Sequence, residues 1–309
     1  MKKISIVMGV YNEKKEELCQ AIDSILNQTY QNFEFIIILD SPENIELLMI
    51  LKKYETLNKK IKLIVNKKNM GLPKSLNRGI EEATGDYIAR MDADDIAMPN
   101  RLKKQVEYLE RFSDIALLGT DAIKINDSGE IIGEIVEPIG AENIKRILKY
   151  RSCLIHPSII FKKEILLTVG GYRNFPCAQD YDLYSRLTDS GYKIENLKEK
   201  LMKYRVRGNS ISTEKRLFQI LMAEYIRKLS KERSENNGKD SFSEDEILKI
   251  EEIYKKENKN FQKINKLVLK IKDNKILLTL FLPWIYIRSK YYRKEIHNRI
   301  KILLNKFWR

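Results

Sequence analysis

The sequence predicts an α/β protein built on a parallel, doubly wound sheet, and three observations lead to this prediction. Short apolar, β-branched runs alternate with amphipathic segments through the first ninety or so residues of the chain, and the connections between them are short. Four of the apolar runs end in polar side chains. In a parallel sheet those ends meet at one edge, where ligands bind.

The elements of this first part follow one another closely. Leu18, Ile22 and Ile25 recur at the spacing of a helix face, and Pro73 suits the first turn of a later helix. The predicted strands cover Lys3–Gly9, Phe33–Leu39, Ile61–Val65 and Tyr87–Met91, with a helix between each successive pair.

The fourth strand runs out into three carboxylates, Asp92, Asp94 and Asp95. Such a concentration of negative charge favours a cation, and Mg²⁺ and Mn²⁺ bridge one or two carboxylates to substrate phosphates. Side chains two residues apart in an extended segment lie on the same side, so Asp92 and Asp94 can face one ion. Asp95 is then expected to point away and to cap the helix that follows Pro99.

Composition restricts the chemistry and the location. The three cysteines lie far apart without a Cys-x-x-Cys pair, which is typical of reduced thiols in the cytoplasm. Two histidines leave little for zinc or histidine-based catalysis. The N-terminus reads directly into a strand and not into a secretory signal, so a cytoplasmic protein is expected.

The net charge of +14 is concentrated in the last third of the chain. Residues 1–214 hold 33 basic and 31 acidic side chains, whereas residues 215–309 hold 24 and 12. An apolar run over Ile276–Ile287 is shorter than the ~20 residues of a spanning helix, and Pro283 is expected to break it.

Basic and aromatic residues accompany this run through residue 294. The combination predicts peripheral association of 276–294 with an anionic membrane surface. The alternative is that these helices pack on the rest of the protein and the charges are solvated. Nucleic acid is not an expected partner, because the front of the chain offers carboxylates and no basic groove.

Eight segments stand in a specific order along the first two-thirds of the chain: Ser5–Glu13, Ile25–Phe33, Asn69–Asn77, Gly85–Asp95, His156–Ser158, Gly170–Tyr172, Gln179–Asp182 and Tyr204–Ser212. In this order they resemble family 2 glycosyltransferases, most closely bacterial enzymes that extend surface oligosaccharides. The resemblance implies a GT-A domain over residues 1–213, a Rossmann-like, mostly parallel sheet flanked by helices. Residues 214–309 are predicted to form a basic, amphipathic α-helical extension.

The resemblance implies a UDP-sugar donor and assigns most of the site. Asp92-Ala93-Asp94 matches the family's Asp-x-Asp signature, in which Asp94 ligates Mn²⁺ or Mg²⁺ and Asp92 contacts ribose or shares the metal. Asp40 matches the acid that accepts from the uracil edge, although Leu39 stands where a second acid is frequent. The other donor contacts are Val10 and Tyr11 at the base, Glu13 at the ribose or base, Asn69 and Gly71 in a close-approach loop, and Asn77, which is equally a structural residue.

On the acceptor side, Asp180 matches the family's general base, with Asp182 as the fallback. A helix start nearby makes a capping role the alternative for Asp180. His156 resembles a residue that lines the acceptor side. Arg207 stands where the family commonly has a metal-binding histidine; arginine cannot ligate a cation but can clamp a phosphate.

Together these features predict a metal-dependent inverting glycosyltransferase at the inner face of the cytoplasmic membrane. It would transfer a sugar, hexosyl or N-acetylhexosaminyl, from a UDP-sugar to a hydroxyl of a saccharide or lipid-linked acceptor in surface polysaccharide or lipooligosaccharide assembly. Two alternatives are a sugar-phosphate nucleotidyltransferase and a non-catalytic membrane-associated scaffold. The first usually has a Gly-rich basic loop after its first strand, and Val10–Glu13 is not such a loop.

Overall fold

The structure, a computed structural model, describes residues 2–207, 215–271 and 274–304. Residues 208–212 of the last matching segment lie outside these ranges, as does the domain boundary predicted after residue 213.

Within the described ranges, nine strands form one sheet in the order β3-β2-β1-β4-β8-β6-β9-β5, with β7 paired to β6. The strands are β1 (Ile4–Val10), β2 (Phe33–Leu39), β3 (Ile61–Val65), β4 (Tyr87–Asp92), β5 (Ile96–Ala97), β6 (Ile115–Ile125), β7 (Ile131–Ile135), β8 (Ile160–Lys162) and β9 (Lys193–Arg205).

The first four strands are parallel, as the sequence predicts. Val10 pairs with Leu39 at the ends of β1 and β2, and Gly9 pairs with Asp92 at the end of β4. The carboxyl ends of these strands therefore lie along one edge of the sheet, and the polar residues that follow them are neighbours.

Beyond β4 the sheet becomes mixed. β8 and β6 run antiparallel to each other, and β9 is parallel to β6. The chain after β4 crosses to the far end of the sheet, where β5 pairs with β9. This crossing brings the end of β9 beside the aspartates that follow β4.

Helices cover the sheet on both sides because each carries an apolar stripe. Leu18, Ile22 and Ile25 of the first helix are fully buried, as are Leu76 and Ile80 of the third. The helices are α1 (Lys15–Leu26), α2 (Ile45–Leu57), α3 (Leu72–Glu81), α4 (Arg101–Arg111), α5 (Ala141–Leu148), α6 (Lys163–Thr168), α7 (Gln179–Asp189), α8 (Arg216–Glu235), α9 (Glu244–Ile271), α10 (Lys275–Arg288) and α11 (Lys290–Leu304).

One feature of the last third differs from the sequence-based expectation. The expected break at Pro283 is wrong, because α10 continues through it. A proline removes one backbone hydrogen bond and strains the preceding turn. Here Ile285, two residues later, is buried against the other helices and helps to hold the chain in helical form.

The C-terminal helices share a core with the sheet. One apolar cluster extends from Val7 and Leu76 near β1 and α3, through Tyr181 of α7, to Leu221 of α8 and Ile250 of α9. α8 and the start of α9 are thus packed on the first part of the chain. No helix in the described ranges is long and apolar enough to cross a membrane.

Candidate active site

Asp40 organises one corner of the strand-end edge. Its main-chain N–H donates to the Val10 carbonyl (2.7 Å). Its Oδ1 accepts from Asn66 Nδ2 (2.6 Å) and Met70 N (2.8 Å), and its Oδ2 accepts from Gly71 N (2.9 Å). The buried carboxylate therefore holds the β3–α3 loop against the end of β1, with Gly71 at φ +83°.

The β1–α1 loop lies beside this corner. The Ser41 hydroxyl donates to the Tyr11 carbonyl, and the Tyr11 N–H donates to the Glu13 carboxylate (2.7 Å). Burial raises the pKa of Glu13, and the negative charges of Asp94 and Asp92 raise it further. The Tyr11 side chain is 45% exposed, so its ring offers an open apolar face directly after the end of β1.

Each of the two signature aspartates has an arginine partner. Asp92 pairs with Arg90, which is buried under the sheet edge. Asp94 Oδ2 accepts from Arg207 Nη2 (2.9 Å), and the same Nη2 donates to Glu17 of α1 (2.7 Å). Burial raises the pKa of Asp94, and the neighbouring Asp92 raises it further, while Arg207 opposes both effects.

Asp95 does not cap the next helix, and that expectation is wrong. The helix begins at Arg101 without a side-chain cap. Asp95 is buried, and its Oδ1 accepts from the Arg205 N–H (2.8 Å), which ties the turn after β4 to the end of β9. Burial raises the pKa of Asp95 well above its usual value, and the negative charge of Asp92 is the second cause of this rise.

The oxygen atoms at the end of β4 fit a hard divalent cation whose coordination shell is completed by a bound ligand. Asp92 and Asp94 offer carboxylate oxygens of the kind that hard divalent cations take, and burial together with the negative charge of Asp92 raises the pKa of Asp94. No group of three or more acidic, histidine or cysteine side chains in the described part of the chain is arranged to hold a metal. A cation at this pair would therefore need further oxygens from substrate phosphates.

A cleft of about 1150 Å³ connects this edge with α7. Gly71 and Asp92 line it from the sheet edge, and Asp180 lines it from the first turn of α7. Burial raises the pKa of Asp180 to about 6. The cleft therefore contains a carboxylate that is ionised near neutral pH and yet basic enough to accept a proton.

Two other candidates are engaged by the protein. Asp182 is fully buried, and its Oδ2 accepts from Arg186 Nε (2.8 Å). Asn77 donates to the Tyr172 carbonyl (2.7 Å) and accepts from the Tyr172 N–H (2.9 Å). Asp182 is thereby a structural ion-pair partner, and Asn77 fixes the turn before α7; its contact with a donor stays a prediction.

His156 lies in the same cleft, in a short 3₁₀ helix before β8. Its Nε2 is 2.9 Å from the Tyr172 hydroxyl. Burial lowers the pKa of His156 well below its usual value, so the imidazole is neutral at physiological pH. This neutral side chain can line an acceptor pocket and position Tyr172.

Sequence reasoning missed Arg90, Glu17 and Arg205. Arg90 stands two residues before Asp92 in a strand, so the alternation that joins Asp92 to Asp94 would also have placed it beside Asp92. Glu17 and Arg205 carry no such local signal. Their positions depend on the contact of α1 and the end of β9 with the turn after β4.

Comparison with known proteins assigns the family. The model of Glycosyl transferase family 2 matches residues 5–169, more than half of the chain. An uncharacterized glycosyltransferase of Methanocaldococcus jannaschii is 38% identical over 216 residues, which cover 69% of this chain and 74% of that protein. The O-antigen biosynthesis glycosyltransferase WbnJ of Escherichia coli is 34% identical over 236 residues, covering 76% and 91%. The chain belongs to glycosyl transferase family 2.

Solved structures agree on the fold. The crystal structure of S. aureus TarS 1-349 in complex with UDP matches with a TM-score of 0.57 at 17% identity, over 80% of this chain and 69% of that one. The GT-A arrangement implied by the sequence motifs is confirmed.

Proposed function

We propose that this family 2 glycosyltransferase is a metal-dependent, inverting enzyme that transfers a sugar from a UDP-sugar to a hydroxyl of a saccharide acceptor carried on a lipid. The reaction would belong to the assembly of a cell-surface polysaccharide. One observation carries the proposal: a single cleft joins Asp92, at the end of β4, to Asp180, whose pKa is raised to about 6.

The donor would bind along the strand-end edge. Tyr11, with the Val10 backbone, would border the base, and Asp40 would accept from its edge while holding the β3–α3 loop. The close-approach loop at Asn69 and Gly71 exposes backbone near the same corner. The fold relative TarS, crystallised with UDP and with UDP-GlcNAc, supports a nucleotide-sugar donor.

Asp92 and Asp94 would hold Mn²⁺ or Mg²⁺ together with the donor diphosphate. A cation held there would supply Lewis-acid stabilisation of the UDP leaving group. Arg207 uses only Nη2 for Asp94 and Glu17, so the rest of its guanidinium is free of partners among the described residues and can clamp a phosphate.

The chemistry at the acceptor would be a single displacement. The acceptor oxygen forms a bond to the anomeric carbon while the bond from that carbon to the diphosphate oxygen breaks. The electron pair of the breaking bond leaves with UDP, and the hydroxyl proton passes to Asp180. Attack from the side opposite to UDP inverts the anomeric configuration.

The acceptor class is inferred from the relative WbnJ and from the C-terminal helices. The name of WbnJ places it in O-antigen biosynthesis. In this chain, α10 leaves Ile276, Leu280 and Ile287 exposed beside basic and aromatic residues. Such a surface suits peripheral contact with an anionic membrane, where a lipid-linked acceptor would lie.

The test is UDP release from a panel of UDP-sugars, with Mn²⁺, with Mg²⁺ and with a chelator. We expect slow hydrolysis without acceptor and faster release with a matching acceptor, both lost on chelation. A nucleotidyltransferase would instead release pyrophosphate from UTP and a sugar phosphate, and a scaffold would release nothing. Absence of turnover and of UDP binding across the panel would refute the proposal.

The metal assignment has its own test. Asp94→Ala should weaken UDP binding in the presence of Mn²⁺ by about tenfold or more, because a carboxylate that would hold the cation beside the diphosphate is lost. Titration calorimetry measures this, and the control is Asp114→Ala, an exposed carboxylate paired with Lys193. Unchanged Mn²⁺-dependent affinity in Asp94→Ala would refute the role of Asp94.

A further inference from the structure

A second cleft adjoins the main cleft at Asp180. It has a volume of about 520 Å³ and lies between residues 150–152, α8 and α11. Ser152, Ala178, Asp180 and Gln219 line both clefts. A molecule whose hydroxyl is at Asp180 can therefore extend from the main cleft into this one, which we call the basic cleft.

The lining of the basic cleft is rich in cations. Arg216 pairs with Glu295 (2.9 Å), and Lys294 pairs with Glu224 (2.7 Å). A third cation, Arg151, pairs with a glutamate of the main cleft (3.1 Å). The basic side chains that line it are Arg151, Arg216, Arg227, Lys294 and Arg299, and the acidic ones are Asp180, Glu224 and Glu295.

After this pairing two arginines remain without a carboxylate. Arg227 is half-buried; it donates to the Tyr150 carbonyl (3.3 Å) and forms a hydrogen bond with the side chain of Tyr181, both of which are uncharged partners. Arg299 lies exposed at the rim. In residues 2–207, 215–271 and 274–304, neither guanidinium lies within 4.0 Å of a carboxylate. A half-buried cation without a counter-ion is unfavourable, and a bound anion would relieve it.

We propose that the basic cleft binds a phosphate or diphosphate group of the acceptor, held by Arg227 and Arg299, while the acceptor saccharide lies at Asp180. This inference rests on the proposed function, because it names the acceptor of the same site. A guanidinium presents paired N–H donors that match phosphate oxygens in a fork, which a neutral saccharide cannot use as well.

The position of the cleft fits a lipid carrier. α11 lines the cleft and follows directly on α10, whose exposed apolar residues include Ile276 and Leu280. Arg299 also lines a smaller cavity together with Leu278 and Leu282 of α10, so a phosphate bound at Arg299 would lie between Asp180 and apolar side chains of that helix. A saccharide joined through phosphate to a lipid has the same order of groups.

The kinetic test compares two acceptors that bear the same sugar, one linked through diphosphate to a short prenyl chain and one a neutral alkyl glycoside. Arg227→Gln/Arg299→Gln in the full chain should lower kcat/KM for the diphosphate acceptor by about tenfold or more, mainly through KM. Transfer to the neutral glycoside should not change. The matched control is Lys228→Gln/Lys231→Gln, which removes two exposed charges from α8 outside the cleft.

A binding test separates this inference from the proposed function. With saturating UDP and Mn²⁺ at the donor site, inorganic pyrophosphate should bind the wild-type protein and the Lys228→Gln/Lys231→Gln control, but not the arginine double variant. This result is accessible even if no sugar nucleotide is turned over. Retained pyrophosphate binding in the double variant would overturn the site, as would an equal loss of transfer to both acceptors.

Vesicles identify the source of the phosphate. Co-sedimentation with phosphatidylglycerol vesicles should be the same for the wild type and the arginine double variant. If the double variant instead loses vesicle binding while keeping transfer to the diphosphate acceptor, the cleft binds membrane headgroups and the acceptor assignment is wrong.

Discussion

At the scale of the residue, Asp180 and Asp182 stand two positions apart in α7, and their carboxylates have opposite environments. Asp180 lines the cleft and has a pKa raised by burial to about 6, whereas Asp182 is fully buried between Arg186 and Arg173. Position in the sequence alone does not distinguish the two carboxylates, but the side of the helix on which each lies does. Asp182 lies on the side of the turn at Gly171, because its partner Arg186 also donates to the Gly171 carbonyl.

This difference gives opposite phenotypes for two matched substitutions. Asp180→Asn should retain donor binding and stability while transfer falls by at least about a hundredfold, since the acceptor proton has no base. Asp182→Asn should lower the free energy of unfolding by about 3–5 kcal/mol, because it leaves a buried arginine unpaired. Turnover, UDP titration and denaturant unfolding of both variants measure the split. Full transfer by Asp180→Asn would contradict its assignment.

The raised pKa of Asp180 also predicts a pH dependence. A base must be ionised, so kcat/KM should fall about tenfold per pH unit below about 6 and level off above it. Stability should respond in the opposite sense. The folded state holds the proton that the unfolded state releases near 3.8, so this group's contribution to stability decreases as pH rises from 3.8 through 6.

A pH–rate profile between 5 and 8, with UDP release as readout, tests the kinetic part. The Asp182→Asn variant is the control, because its rate should fall below pH 6 in the same way as that of the wild type. A wild-type profile that does not fall below pH 6 would show that another group accepts the proton.

The sequence could predict residues whose function depends on a strand end, and could not predict those whose function depends on a distant partner. Asp40, Asp92 and Asp94 stand where a strand stops, so their meeting at one edge followed from the parallel order. Arg207 contacts Asp94 across 113 positions of the chain, and Asn77 bonds to Tyr172 across 95. Such contacts depend on how β9 and the turn before α7 are placed by packing.

At the scale of the element, the β3–α3 loop is held by one side chain. Asp40→Asn replaces one acceptor oxygen with an N–H₂ group, so Met70, Gly71 and Asn66 cannot all keep their bonds to it. We expect a loss of about 1–3 kcal/mol of stability and about tenfold weaker UDP binding. Denaturant unfolding and calorimetry measure the two effects. Asp114→Asn serves as the exposed control, and equal behaviour of the two variants would argue against a loop-holding role.

Element boundaries followed from local pattern wherever the pattern was strong. The predicted strands Phe33–Leu39 and Ile61–Val65 match β2 and β3 at both ends. The predicted helix break at Pro283 is wrong for a physical reason. One proline costs free energy only locally, whereas packing of Ile285 and the residues around it against α9 and α11 stabilises the helix. A breaker residue predicts a break only where no such packing compensates.

At the scale of the whole molecule, the C-terminal region packs on the rest of the protein, which is one of the two alternatives left open by its sequence, whereas its contact with a membrane stays a prediction. Phe175, just before α7, lies against Tyr225 of α8 and Phe242 before α9, and Asp240 pairs with Arg173 and Arg233. This part packs on the first two-thirds of the chain. Removal of everything after Ser234 would expose that apolar contact, so substitution is a better probe of the region than truncation.

The exposed side of α10 predicts membrane association that substitution can test. Ile276, Leu280 and Ile287 are 74%, 69% and 70% exposed, and no contact with the core would be lost on changing them. Ile276→Glu/Leu280→Glu should reduce co-sedimentation with anionic vesicles severalfold, because apolar insertion is lost and negative charge is added near the surface. The same change at Leu57→Glu, an exposed leucine (74%) at the end of α2, should have no effect. Thermal unfolding should be unchanged in all variants. If the α10 variant binds vesicles as the wild type does, this surface does not contact the membrane.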